Sequence, residues 1–134
     1  TMFLTIIAAV SLLVGAGGIA NTMFTSVLEK TKEIGIMKSL GAKNSDIMFI
    51  FLLNSGLVGL VGGILGVIFG IVLSIGITAA GFSFGPSADP ITTEITFGLV
   101  TFALFFSVFI GMLSGIIPAY RASKLNPVDA LRYE

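Results

Sequence analysis

Three long runs without a charged side chain constrain the fold of this chain more than any other feature. They occupy about 1–27, 47–80 and 95–117. At about 1.5 Å per helical residue, each run is long enough to cross a hydrocarbon core of about 30 Å. In all, 55% of the residues are hydrophobic and 10% are charged, against about a quarter charged in soluble domains. We therefore predict an all-α, multi-pass membrane protein with three transmembrane helices in a single domain.

The charged residues are segregated between these spans, although the formal net charge is zero. The seven basic residues are Lys30, Lys32, Lys38, Lys43, Arg121, Lys124 and Arg132. The segment 81–94 carries acidic residues only. Because basic loops stay on the cytoplasmic side, we expect 28–46 and the tail 118–134 to be cytoplasmic. The loop 81–94 is then extracytoplasmic, and the protein lies in the cell membrane.

Several residue types on which common chemistries depend are missing. The chain has no Cys and no His, which excludes disulfides and thiolate metal sites and removes the commonest general base. No charge interrupts a span, whereas ion-coupled carriers usually need one. Gly41-Ala42-Lys43 lacks the upstream glycine of a phosphate-binding loop. We expect no catalytic residue, metal, cofactor or nucleic-acid partner, so the chain is not predicted to be an enzyme.

The first residue is Thr, and the apolar run begins at once without a basic region or a cleavage pattern. We therefore expect no signal peptide, and we interpret the chain as the C-terminal piece of a longer protein.

Small residues recur in phase along the first two spans. In the first span they are Ala8, Ser11, Gly15, Gly18, Thr22 and Thr25; in the second they are Gly56, Gly59, Gly63, Gly66, Gly70 and Ser74. Small side chains let the backbones of membrane helices approach closely. We predict helix-packing faces centred on Gly15 and Gly18 and on Gly59, Gly63, Gly66 and Gly70. The alternative is that small residues are simply common in membrane helices.

The charged stretch between the first two spans has a helical pattern of its own. Ile34, Met37 and Leu40 recur at steps of three, with Ile36 beside them. This spacing predicts a short amphipathic helix from Thr31 to Leu40 whose apolar side faces a partner or the membrane interface. The alternative is a loop whose lysines serve topology alone.

Local signals mark the ends of several helices. Gly41 suits a left-handed C-cap, and Asn44 suits the N-cap of the next helix, with Asp46 in its first turn. Pro118 is expected to close the third span. Asn126-Pro127 is a favourable start for a short amphipathic tail helix that reaches Glu134.

Two segments resemble motifs of a known family. Glu29-Lys30-Thr31-Lys32-Glu33-Ile34-Gly35-Ile36, followed by Leu40-Gly41-Ala42, resembles the "ERTREIGI…GA" signature of the FtsX-like permease domain. The tail from Pro118 to Glu134 is similar to that family's closing "PA.RAaklnPveALRyE". The family includes ABC transporter permeases of the MacB and LolCE type.

The resemblance implies a fold and a set of partners. Family members have four membrane helices, with a large extracytoplasmic domain between the first and second, so this chain would hold helices two to four. The permease works as a homo- or heterodimer in the lipid bilayer with ABC ATPase subunits, which bind ATP and magnesium. A cytoplasmic coupling helix docks into a groove of the ATPase and transmits its movement.

Carried over residue by residue, the coupling set comprises Lys30, Glu33, Ile34, Gly35, Ile36, Met37, Lys38, Leu40, Gly41 and Ala42. Within it we expect Ile34, Met37 and Leu40 to insert into the groove, with Glu33 and Lys38 at its rim. Lys30 and Lys32 stand where the family usually has Arg, and Lys lacks the bidentate geometry of Arg. The resemblance leaves open export, lipoprotein extraction or mechanotransmission. The alternative is a regulator that relays ATPase movement to an outside partner such as a cell-wall hydrolase.

Overall fold

The structure is a computed structural model that describes residues 2–80 and 95–126, and these form four helices. They are α1 (Met2–Glu29), α2 (Thr31–Ser39), α3 (Asn44–Ala79) and α4 (Phe97–Ser123). Three of them, α1, α3 and α4, are long and apolar enough to cross a membrane. The all-α prediction is confirmed, with no strand in the described ranges. The predicted loop 81–94 and tail helix lie outside the described residues.

One helix continues beyond the point where the third span was predicted to close. Pro118 lies inside α4, which continues to Ser123; the position at which the membrane span ends stays a prediction. A proline removes one backbone hydrogen bond, here the one that would reach the carbonyl of Ser114, but flanking packing can hold the helix together across it. Pro118 and Ala119 are both buried, which explains why α4 does not end there.

α3 and α4 run antiparallel and meet along a seam of small residues spaced four apart on each helix. The seam pairs Ser55 with Gly115, Gly59 with Gly111, and Gly63 with Ser107. A Cβ atom at Gly59 would lie 2.6 Å from the carbonyl oxygen of Ser107, and one at Gly111 would lie 2.7 Å from that of Ser55. Only glycine therefore fits at the middle of the seam, where two backbones touch.

A hydrogen bond between the helices reinforces this seam. The hydroxyl of Ser107 donates to the backbone carbonyl of Gly59. In lipid no water competes for that carbonyl, and measured bonds of this kind between membrane helices contribute about 0.6 kcal/mol on average. The bond fixes the register of α3 against α4, because it joins two members of the close-packed set.

The other glycines of the two predicted stripes lie outside this seam. A Cβ atom at Gly66 or Gly70 on α3, or at Gly15 or Gly18 on α1, would meet no heavy atom within 4 Å. Gly70 lines a groove of about 230 Å³ between the ends of α3 and α4 that are remote from α2. In the described residues, the part of the second stripe that precedes Gly66 therefore contacts α4 closely, and Gly66 and Gly70 do not.

The buried apolar cluster lies at the opposite end of the bundle, which we call the basic end because Lys30, Lys38, Lys43 and Arg121 are there. All four helices contribute to the cluster, with Met23, Val27, Ile34, Ile47, Phe51, Ala119 and Ala122. Ile19, Met37, Met48 and Leu125 pack against it. The short helix α2 therefore contributes to the protein core and packs against the long helices.

The seam predicts that one methyl group at Gly59 is damaging and that the same methyl at Gly66 is harmless. In Gly59→Ala the new Cβ would meet the backbone of α4, which cannot rotate away, so we expect stability to fall by about 1–3 kcal/mol. In Gly66→Ala the methyl enters open space and removes a flexible residue from a helix, which stabilises helices by up to about 1 kcal/mol. Thermal unfolding of both variants in one detergent measures the difference.

Equal melting temperatures for the Gly59 and Gly66 variants would contradict the seam. Gly111→Ala provides a second test from the other helix, since its Cβ would also meet backbone. It should behave like the Gly59 variant.

Candidate functional site

The candidate site is α2 together with the two connections that hold it. Lys30 is the only residue between α1 and α2, and its backbone (φ −94°, ψ 9°) departs from helical geometry. The amide of Lys30 still donates to the carbonyl of Ser26, and the carbonyl of Lys30 accepts from the amide of Ile34. The hydroxyl of Thr31 donates to the carbonyl of Val27. α2 is thus a nearly direct continuation of α1, joined to it by a single bend.

A Schellman motif closes α2 at its other end. Gly41 has φ +97°, which is the left-handed conformation that glycine adopts without a steric penalty. Its amide donates to the carbonyl of Lys38, and the amide of Ala42 donates to the carbonyl of Met37. These are the two bonds that define the motif, and the predicted glycine cap is confirmed.

The start of α3 is one residue earlier than predicted. Asn44 is the first helical residue and Lys43, with extended backbone (φ −77°, ψ 156°), is the N-cap, so the assignment of Asn44 as the cap was wrong. The reason is Asp46, whose carboxylate accepts a hydrogen bond of 3.1 Å from the backbone amide of Lys43. Three residues therefore connect the C-cap of α2 to the first turn of α3, which leaves little freedom between them.

The inward face of α2 differs from the one that the sequence suggested. Ile34 is 0% exposed and belongs to the core, Gly35 is buried, and Met37 is half-buried against the same cluster. Ile34 packs against the chain's own spans, which corrects the expectation that it inserts into a groove on a partner. Insertion of the partly exposed Met37 stays a prediction.

The outward face carries two apolar residues one turn apart. Ile36 is 46% exposed and Leu40 is 84% exposed. Lys32 and Glu33 are exposed beside them, and Lys30 forms an ion pair of 3.9 Å with Glu33 across one turn. Such an exposed pair contributes little stability. The face available to another protein is therefore a small apolar patch of Ile36 and Leu40 with charges along its side, which we call the α2 patch.

Lys38 is half-buried and bonded within the chain. Its ammonium group donates a hydrogen bond of 2.7 Å to the backbone carbonyl of Leu125, just beyond the end of α4. The expectation that Lys38 borders the groove of a partner stays a prediction. Ala42 is half-buried beside the Schellman turn.

A cation–π contact that sequence reasoning missed joins α4 to α1 at the basic end. The guanidinium carbon of Arg121 on α4 lies 5.2 Å from the centre of the Phe24 ring on α1. The sequence places Ser107, Gly111 and Ser114 on one face of the third span, and the seam uses the first two together with Gly115, which sequence reasoning missed. Its spacing of four from Gly111 was the signal that could have identified it.

The described part of the chain offers no group of His, Cys, Asp or Glu that could hold a metal ion. Its grooves between helices are lined by apolar residues with a few hydroxyls. One of about 250 Å³ separates α1 from α4, with Ser11, Gly15 and Ser107 in its wall.

Comparison with known proteins identifies relatives over the same residues. The family model described as FtsX-like permease C-terminal matches residues 5–127. The macrolide export ATP-binding/permease protein MacB of Bdellovibrio bacteriovorus is 44% identical over 134 residues, which is 100% of this chain and 19% of that protein. The ABC transporter permease YknZ of Bacillus subtilis, described as uncharacterized, is 40% identical over 128 residues, or 96% of this chain and 30% of the relative.

A third relative matches a shorter part of the chain more closely. The ABC transporter permease MJ1507 of Methanocaldococcus jannaschii, also described as uncharacterized, is 57% identical over 63 residues, 47% of this chain and 16% of that protein. The chain thus spans less than a third of the length of these relatives.

The two faces of α2 predict opposite results for isoleucines two positions apart. Ile34→Ala would leave a cavity in the core and should lower the free energy of unfolding by about 2–5 kcal/mol. Ile36→Ala removes a surface side chain and should change it by about 0.5 kcal/mol or less. Thermal unfolding of the purified variants measures both, and a larger loss for Ile36→Ala would show that the faces are assigned the wrong way round.

The Schellman turn predicts a cost at Gly41 that does not depend on contacts. Its Cβ would meet no atom within 4 Å, so the penalty for Gly41→Ala comes from the left-handed backbone alone and amounts to about 1–2 kcal/mol. Gly17→Ala is the control, since it also meets no atom but lies in a helix. A melting temperature of Gly41→Ala at or above that of Gly17→Ala would contradict the assigned backbone geometry.

Proposed function

The chain belongs to the FtsX-like permease family of ABC transporters, and on that premise we propose that it couples ATP hydrolysis by a separate ATPase to movement of its own membrane helices. In this proposal ATP and magnesium are bound by the ATPase, and the chain supplies no catalytic residue. Its family, together with three apolar helices, makes it a multi-pass membrane protein. We assign it to the cell membrane, with the basic end in the cytoplasm.

The observation that carries the proposal is the position of the α2 patch. Ile36 in α2 and Leu40 at its C-cap are exposed apolar residues at the basic end, which in this proposal lies in the cytoplasm. Two apolar residues one turn apart on a short helix are a common way to anchor such a helix in a groove of a partner. The core behind the patch, centred on Ile34, connects any force on α2 to all three spans.

The connections of α2 also support a mechanical role. One bent residue, Lys30, joins it to α1, and a capped turn of three residues joins it to α3. Short, hydrogen-bonded connections transmit displacement because they leave few torsions that could absorb it. A push on α2 from the ATPase would therefore reach α1 and α3 together. We propose a second permease protomer beside this one, as the family implies.

The apolar lining of the grooves favours mechanotransmission over passage of a polar substrate through this chain. The groove between α3 and α4 is walled by Val67, Ile71, Leu99 and similar residues. The same observation leaves room for the second candidate, a regulator that relays ATPase movement to an outside partner. Export, extraction of lipids or lipoproteins and regulation share the coupling step that is tested below.

The proposal predicts that the α2 patch sets affinity for the ATPase. Burying each of Ile36 and Leu40 contributes roughly 1.5–3 kcal/mol at full burial. Ile36→Ala with Leu40→Ala removes much of that area, so the dissociation constant of the ATPase for the permease in nanodiscs should rise by about 10- to 100-fold. Surface immobilisation of the nanodiscs and titration with purified ATPase measures it.

The matched control is Leu113→Ala with Ile117→Ala on α4. These residues are also exposed, apolar and four positions apart (47% and 63%), but they lie within a span. Unchanged affinity in the α2 double variant would refute the proposed docking face. An equal loss in the α4 double variant would show that the effect is not specific to α2.

A further inference from the structure

We infer that Lys38 ties α2 to the end of α4 and makes that end follow α2 when an ATPase displaces it. The inference rests on the proposed function for the source of the displacement. It changes the role of Lys38 from a contact with the ATPase to a positioning residue inside the permease.

The contact itself is specific in partner and place. The Nζ atom of Lys38 lies 2.7 Å from the carbonyl oxygen of Leu125, 87 positions away in the sequence, in a part-buried setting. The carbonyl follows the last turn of α4, where carbonyl groups have no intrahelical partner and the helix dipole favours a positive charge. An ammonium that donates to such a carbonyl forms one of the stronger classes of protein hydrogen bond.

Apolar packing beside the bond fixes its geometry. Met37, the residue before Lys38, and Leu125, the residue whose carbonyl is bound, both pack against the core cluster. The bond therefore lies beside the core to which both helices contribute. Lys32, by contrast, points to the exposed side of the same helix.

Pro118 divides α4 into two segments that have different contacts. The seam with α3 involves Ser107, Gly111 and Gly115, all before the proline. The proline removes the backbone bond to Ser114, which is where helices bend most readily. The segment after Pro118 is therefore held by the core, by the contact of Arg121 with Phe24 and by Lys38, while the seam with α3 holds the segment before it.

This division makes Lys38 the polar link through which movement of α2 reaches the end of α4. α1 and α3 are connected to α2 covalently, through Lys30 and through the Gly41 turn. Within the described residues, the end of α4 is connected to α2 by packing in the core and by this bond, so loss of the bond should uncouple it selectively.

Hydrogen exchange of the full-length permease with its ATPase tests the inference. We expect Lys38→Met to raise amide exchange at the end of α4 (119–125) by about tenfold without nucleotide, while α3 keeps its protection. With a non-hydrolysable ATP analogue, wild type should change exchange in both α2 and the end of α4, and Lys38→Met in α2 alone. Lys38→Arg should restore both responses, and Lys32→Met should behave as wild type.

The other possible results distinguish failure of the inference from failure of the proposed function. A response of the α4 end that persists in Lys38→Met, or that is lost equally in Lys32→Met, overturns the inference. If Lys38→Met loses protection in α1 and α3 as well, Lys38→Gln replaces it, since glutamine keeps a shorter neutral donor. If α2 of wild type does not respond to the nucleotide analogue, the proposed function fails, and the nucleotide-free exchange at 119–125 then decides on the bond alone.

Discussion

The contact on which this bundle depends is the approach of two backbones at Gly59 and Gly111. Within lipid, apolar side chains gain nothing by leaving the solvent for a helix interface, so association rests on close packing and on polar bonds. The seam supplies both, since a Cβ atom at either glycine would meet backbone of the other helix and Ser107 bonds across it. A pair of helices held in this way moves as one body.

A different kind of contact holds the basic end. There the apolar side chains of Met23, Ile34 and Phe51, from α1, α2 and α3, are buried in one cluster. This core includes α2 although α2 has only nine residues. The bundle thus combines close backbone contact between α3 and α4 with a side-chain core at the basic end.

The sequence sufficed for the parts of this structure that local chemistry decides. Long uncharged runs determine three apolar helices, and Gly41 determines where α2 stops, because the left-handed backbone that it adopts is open to few other residues. Small residues at steps of three or four also indicate where two helices can meet. They do not determine over what length of the stripe the partner helix stays in contact. In this structure Gly59 lies in the seam and Gly66 does not.

The faces of α2 show what periodicity leaves undecided. Ile34, Met37 and Leu40 recur at steps of three, and Ile36 and Leu40 lie four positions apart. The sequence of α2 alone does not determine which of these two sets faces the core. Which set is buried depends on the direction of the bend at Lys30 and on the long helices against which α2 packs. Both are features of the tertiary structure. Lys38 illustrates the same limit, since its partner is a backbone carbonyl that carries no residue-specific signal.

The small-residue stripes are used unequally in the described ranges. A Cβ atom at Gly15 or Gly18 would meet no heavy atom within 4 Å, and the role of these glycines in packing stays a prediction. Under the proposed function, a second protomer would offer a partner for this stripe of α1. A helix bound firmly at its basic end and open along its upper face can tilt about that end. Under the proposed function, a small displacement at α2 would become a larger one at the far end of α1, because Met2 lies 21 residues, or about 32 Å, from Met23 in the core.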